Sequence, residues 1–133
     1  MQQIDHIGIA VKSLATAVPL YEKLLNSLCY KRELIPTENV TTAFFKTGET
    51  KIELLESNSE DGVIARYIAK KGEGVHHIAF EVADIEAEME RLKKLGFTLL
   101  NEKPTPGADN KLVCFLHPKD TTGVLVELCQ AIR

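Results

Sequence analysis

The chain has 133 residues, 44% of them apolar and 26% charged, with a formal charge of −3. That length suits one ordinary domain or two small fused modules, burying roughly two-thirds of the unfolded surface without disulfide staples. The mild acidity and scattered lysines give no electrostatic reason to expect a nucleic acid or a membrane surface as partner.

No apolar run approaches the ~18 residues that a membrane span needs. The opening MQQIDHIGIAVKSL has neither the basic head nor the long apolar core of a secretory leader. Cys29, Cys114 and Cys129 are odd in number and form no CxxC. They read as reduced thiols of a cytoplasmic protein, two of them as small buried hydrophobes.

In chain order, the alternating β-branched stretch 4–11 predicts a strand, and LATAVPLYEKLLNSL (14–28) predicts an amphipathic helix. Three strand-like runs follow, CYKREL, TTAFFKTG and KIELLES, with a turn at Gly48-Glu49. The segment 58–73 is a linker holding a short helix, VIARYIAKK, closed by Gly72. A second strand (75–82) leads into a helix, with Asp84 as N-cap, Ile85, Met89 and Leu92 at helical spacing, and Gly96 as the stop. Three further strands are predicted at FTLLNE, KLVCFLHP and VLVELCQ, separated by PTPGADN and KDTTG.

The chain repeats itself. IDHIGIAVKSL (4–14) overlays VHHIAFEVADI (75–85), and ETKIELLES (49–57) overlays TGVLVELCQ (122–130). This predicts an α+β fold of two tandem βαβββ modules within a single domain, module one about 1–57 and module two about 74–133. The eight strands are expected to form one curved sheet with helices outside.

Strand parity then sorts the polar residues. Side chains alternate between faces, so Ile7, Ile9 and Val11 face a helix while His6 shares the other face with Gly8 and Ala10. The same rule puts Glu53, His77 and Glu127 on the face away from the helices, with Val124, Val126 and Leu128 toward them. Two imidazoles and two carboxylates suit a divalent first-row metal. A carboxylate on the buried face of an apolar strand also needs a partner or a metal. His76 has the wrong parity and reads as a packing residue at the module boundary. His117-Pro118-Lys119 reads either as a solvated turn or as contacts to an anionic substrate, and Lys70 and Lys71 as a solvated helix face.

DHIGIAV, IELLES, HHIAFEV and VELCQ together resemble the vicinal oxygen chelate superfamily, over essentially the whole chain. Within it, VIARYIAKKGEGVHHIAFEV and KLVCFLHPKDTTGVLVELCQ resemble the methylmalonyl-CoA epimerase family. The resemblance implies a 1,1-proton transfer that inverts C2 of methylmalonyl-CoA through a metal-stabilised enolate. It implies His6, Glu53, His77 and Glu127 as metal ligands, the second being Gln in some relatives. It also implies Glu127 as one acid/base group, with Glu38 in PTENV as the nearest match to its partner. PGADN departs from the more usual PGAHG. Cobalt is the metal such relatives favour, with nickel, manganese and zinc open to the same donors, and a homodimer follows by analogy. Glyoxalase I shares all four ligand positions and is the rival enzyme. Binding modules of this fold usually lack those ligands, and extradiol dioxygenases use two His and one Glu.

Overall fold

The computed structural model describes residues 1–132. Among them the chain forms β1 (Gln3–Ala10), α1 (Leu14–Leu25), β2 (Lys31–Ile35), β3 (Val40–Thr47), β4 (Thr50–Ser57), α2 (Val63–Lys71), β5 (Gly74–Glu81), α3 (Ile85–Lys94), β6 (Thr105–Gly107), β7 (Lys111–Leu116) and β8 (Val126–Ala131). The strands belong to a mixed sheet, and the class is α+β as expected. Packing divides the chain into two compact units, one of His6–His76 and one of Met1–Asp5 together with His77 onward.

In the first unit the strand order is β2-β3-β4-β1. β2, β3 and β4 form an antiparallel meander, and β4 returns parallel to β1, with Gly8 as the Cα partner of Glu53. α1 starts where the Ser13 hydroxyl accepts from the Thr16 amide at 3.4 Å, and it ends on Asn26 in the left-handed region. It therefore stops three residues before the apolar pattern does. Pro19 lies in the helix interior rather than its first turn, so the helix loses one amide donor there. Pro19 and Ala15, whose carbonyl loses that donor, are both exposed, so water can take the vacant acceptor. The opposite face of α1 buries Leu14, Ala17 and Val18 against Ala43, Phe45 and Leu54, with Ile9 and Ile52 beside them.

The second unit repeats the scheme in the order β6-β7-β8-β5. β8 runs parallel to β5, with Ala79 as the partner of Glu127, and antiparallel to β7. α3 is capped by Asp84, which accepts from the Ala87 amide at 3.1 Å. Ile85, Met89 and Leu92 line its buried face against Cys114, Leu116 and Leu128. Burying each such side chain contributes about 1.5–3 kcal/mol.

The sixth strand corrects the sequence reading. FTLLNE is not a strand. Its Leu100 amide donates to the Phe115 carbonyl at 2.8 Å and the His117 amide to Thr98. The Asn101 side chain then accepts from the Phe115 amide at 2.9 Å and so ends the ladder. The strand forms instead at Thr105–Gly107, inside the stretch expected to be a loop. Pro106 is tolerated there because β6 is an edge. Val124, expected to face a helix, precedes β8 and is exposed.

Candidate functional site

His6 enters the first unit on β1, and Glu53 lies one strand away on β4. Because Gly8 rather than His6 is the residue level with Glu53, the imidazole reaches the carboxylate along a diagonal. The His6 Nε2 to Glu53 Oε2 distance is 2.6 Å, and both side chains are nearly sealed from solvent. Gly8, level with Glu53, presents no side chain on the neighbouring strand.

The second unit places His77 and Glu127 in the same register, with Ala79 level with the glutamate. Here Nε2 and Oε1 stand 3.4 Å apart, beyond a good hydrogen bond, and both side chains are again buried. The His77 ring meets Phe115 edge-on, with centroids 6.0 Å apart at 88°. Phe115 is the Cα partner of Glu127, so a single aromatic side chain borders both members of the pair.

Each glutamate strand is also tied to the helix of its unit. Three residues beyond Glu53, the Glu56 carboxylate accepts from the Leu14 amide at 2.6 Å. Three residues beyond Glu127, the Gln130 side chain accepts from the Ile85 amide at 2.7 Å. These bonds satisfy an amide at each helix start and tie the helix to the strand that carries the glutamate. Sequence reading missed them, although Glu56 and Gln130 each lie three residues beyond the glutamate of their strand.

Chemically, each unit offers an imidazole nitrogen and a carboxylate oxygen on a buried face. Buried carboxylates are costly without a partner, and in both units the imidazole is that partner. This donor set of nitrogen and oxygen fits a divalent first-row metal.

Other residues singled out from the sequence lie elsewhere. His76 stands edge-on to Tyr67 on α2, with centroids 4.9 Å apart. The Tyr67 hydroxyl donates to the Val75 carbonyl at 2.8 Å. Burial first, and the Lys71 ammonium second, push the His76 pKa below its usual value. Glu38 lies half-buried in the turn joining β2 to β3, where its amide donates to the Ile35 carbonyl. His117 caps a short 3-10 turn at Pro118–Asp120, its Nδ1 accepting from the Lys119 amide at 3.0 Å. Cys29, Cys114 and Cys129 form no disulfide, and burial raises the Cys114 thiol pKa to about 11.

The strand register adds a residue that the sequence reading passed over. Glu33 on β2 is level with Thr42, which is level with Leu55, so Glu33 shares the face of Glu53. Its carboxylate pairs with Lys31 at 3.7 Å.

Among the described residues no helix is long and apolar enough to cross a membrane. A family model for the Glyoxalase/Bleomycin resistance protein/Dioxygenase superfamily matches residues 5–115. The chain is 41% identical to the ethylmalonyl-CoA/methylmalonyl-CoA epimerase of Cereibacter sphaeroides, over 96% of this chain and 97% of the relative. It is also 41% identical to the mitochondrial methylmalonyl-CoA epimerase of Homo sapiens, over 97% of this chain and 74% of the relative. Among solved structures, a variant of the Streptomyces coelicolor methylmalonyl-CoA epimerase in complex with 2-nitronate-propionyl-CoA superposes with a TM-score of 0.95 at 35% identity. That likeness covers 100% of this chain and 99% of the other.

Proposed function

This chain belongs to the Glyoxalase/Bleomycin resistance protein/Dioxygenase superfamily, within its methylmalonyl-CoA epimerase branch, and from that premise we propose that it is a metal-dependent isomerase interconverting the C2 stereoisomers of methylmalonyl-CoA. The observation that carries the reading is the duplicated His–Glu pair. Two strand registers of the same kind each bury one imidazole against one carboxylate. His6, Glu53, His77 and Glu127 are the residues that would hold one divalent cation. Cobalt is the metal that the family resemblance favours.

Such a cation would act as a Lewis acid toward the thioester and carboxylate oxygens of the substrate. The chain's own residues do the rest. Glu127 is the carboxylate that takes the C2 proton on one face, and it is buried on the strand face that carries it. Inversion needs a second acid/base group on the other face, and Glu38 is the residue we assign to it. The His77 ring stands edge-on to Phe115 beside the glutamate. Three cysteines outside any disulfide suit a reducing compartment such as the cytoplasm, and a homodimer is the family expectation.

The deciding experiment is deuterium uptake at C2 of methylmalonyl-CoA in heavy water. Exchange is expected with the metal-loaded protein, is lost on adding a chelator, and returns when a divalent metal is restored. Turnover of methylglyoxal with glutathione, without any exchange of methylmalonyl-CoA, would replace this reading with glyoxalase I.

A further inference from the structure

The turn that carries Glu38 is closed by its own backbone. Residues 36–39 join β2 to β3. The Glu38 amide donates to the Ile35 carbonyl and the Asn39 amide to the Pro36 carbonyl, each at 3.2 Å. Asn39 ends the turn in the left-handed region, with a φ of 56°, which asparagine tolerates better than most residues.

A second segment of the same unit grips this turn. Residues 57–62 lead from β4 into α2. The Asn39 side-chain amide donates to the Ser59 hydroxyl, and the Asn39 carbonyl accepts from the Asn58 amide at 2.8 Å. Two residues on, the Thr41 hydroxyl donates to the Asn58 side chain at 2.9 Å. Ser59 is itself pinned, because its carbonyl accepts from the Ser57 hydroxyl at 2.6 Å and from the Gly62 amide at 3.3 Å. Gly62 leaves room for this arrangement, since a Cβ there would run into the Ser57 hydroxyl. Ser57 is the last residue of β4, four beyond Glu53, and it is level with Val40. The neighbour of Glu38 is thus fastened, by side chain and by backbone, to the strand of a glutamate assigned to the metal. The turn already closes on its backbone bonds, so the side-chain bonds, which cost side-chain entropy, add placement.

We propose that Asn39, latched to Asn58 and Ser59, is a positioning residue that sets Glu38 for proton transfer. This deepens the proposed function and rests on its assignment of Glu38. In one direction Glu127 takes the C2 proton, the bonding pair enters the enolate, and Glu38 delivers its own proton to the opposite face. In the other direction Glu38 takes the proton and Glu127 delivers one. An acid/base group acts only within hydrogen-bond reach, so a displaced turn cripples one face and spares the other.

The test follows deuterium uptake at C2, and inversion, from each isomer of methylmalonyl-CoA separately, in heavy water with the metal-loaded protein. Asn39→Gly removes the side-chain bond yet keeps the left-handed backbone open, and Ser59→Ala removes its acceptor. Each should slow exchange from the isomer that Glu38 deprotonates by about 10–100-fold, and inversion in both directions with it. Exchange from the other isomer should persist with configuration retained, because Glu127 alone removes and returns that proton. The double variant should be no slower than either single one, since both remove the same bond. Ser59→Thr keeps the acceptor and should behave as the parent. An unaltered melting temperature checks that the variants fold. A purely structural role would slow both isomers together; that result overturns the latch, and so does parent-like exchange from both isomers in Asn39→Gly and Ser59→Ala. Glu38→Gln tests the premise and should select the same isomer more strongly. Equal loss from both isomers in Glu38→Gln would take Glu38 out of its role, and a parent that exchanges neither isomer would remove the epimerase reading.

Discussion

Phe44 and Phe115 occupy equivalent places in the two repeats, 71 residues apart, yet they keep different company. Each is the Cα partner of its unit's buried glutamate. Phe115 spends its ring on the imidazole of His77, whereas Phe44 lies under the ammonium of Lys31 and beside Tyr30. The imidazole beside Phe115 stands 3.4 Å from its carboxylate, while His6 closes on Glu53 at 2.6 Å. One duplicated scaffold has thus kept the donor pair in both copies and let their surroundings diverge. The second copy sets its ring against an imidazole, and the first sets its ring under an ammonium.

If that division is right, the two glutamates should respond unequally. Glu127→Gln should reduce exchange of the C2 proton by about 10²–10⁴-fold, as loss of an acid/base group does, measured by mass spectrometry of methylmalonyl-CoA in heavy water. Glu53→Gln should keep exchange, because an amide oxygen still offers a ligand atom. Equal loss from both would break the comparison.

A smaller effect separates the adjacent histidines. His77→Ala should lower metal affinity by more than about 100-fold, beyond the 10–100-fold typical of changes behind a ligand. His76→Ala should leave the metal content of the purified protein unchanged. Elemental analysis reads both, and equal loss from the two variants would refute the assignment of faces.

The smallest effect sharpens the comparison at the helix starts. Asp84→Ala should destabilise the protein by about 1 kcal/mol in denaturant unfolding. Ser13→Ala should cost less, because its longer 3.4 Å capping bond is the weaker one. A larger loss from Ser13→Ala would show that the first copy depends more heavily on its cap.

Much of this architecture is legible in the sequence because parity and period are cheap to read. The face shared by His6, Gly8 and Ala10 follows from alternation alone, and Asp84 and Gly96 punctuate α3 by their own backbone preferences. The failures have a common cause: side chains that replace a backbone hydrogen bond leave no periodic trace. Asn101 takes the amide that would have continued a strand after Leu100, so an apolar alternation ends without any Gly or Pro to announce it. Glu56 and Gln130 reach back to helix starts more than forty residues away, a contact that no local pattern encodes. Glu33 was passed over because its face is set by the partners of β3, not by its own short strand.

The boundary between the packing units falls inside two strands, between Asp5 and His6 and between His76 and His77, not in the linker between the repeats. The first five residues therefore serve the far half of the chain. Gln2 donates to the Glu81 carbonyl at 2.8 Å, and Asp5 lies 3.2 Å from the buried ammonium of Lys111. Cleaving the chain at the linker would not yield two independent halves. The C-terminal fragment would carry a buried lysine stripped of its counter-ion, a defect that costs about 3–5 kcal/mol. A split form of this protein would have to exchange its leading strand to recover, so its two pieces should refold only in each other's presence.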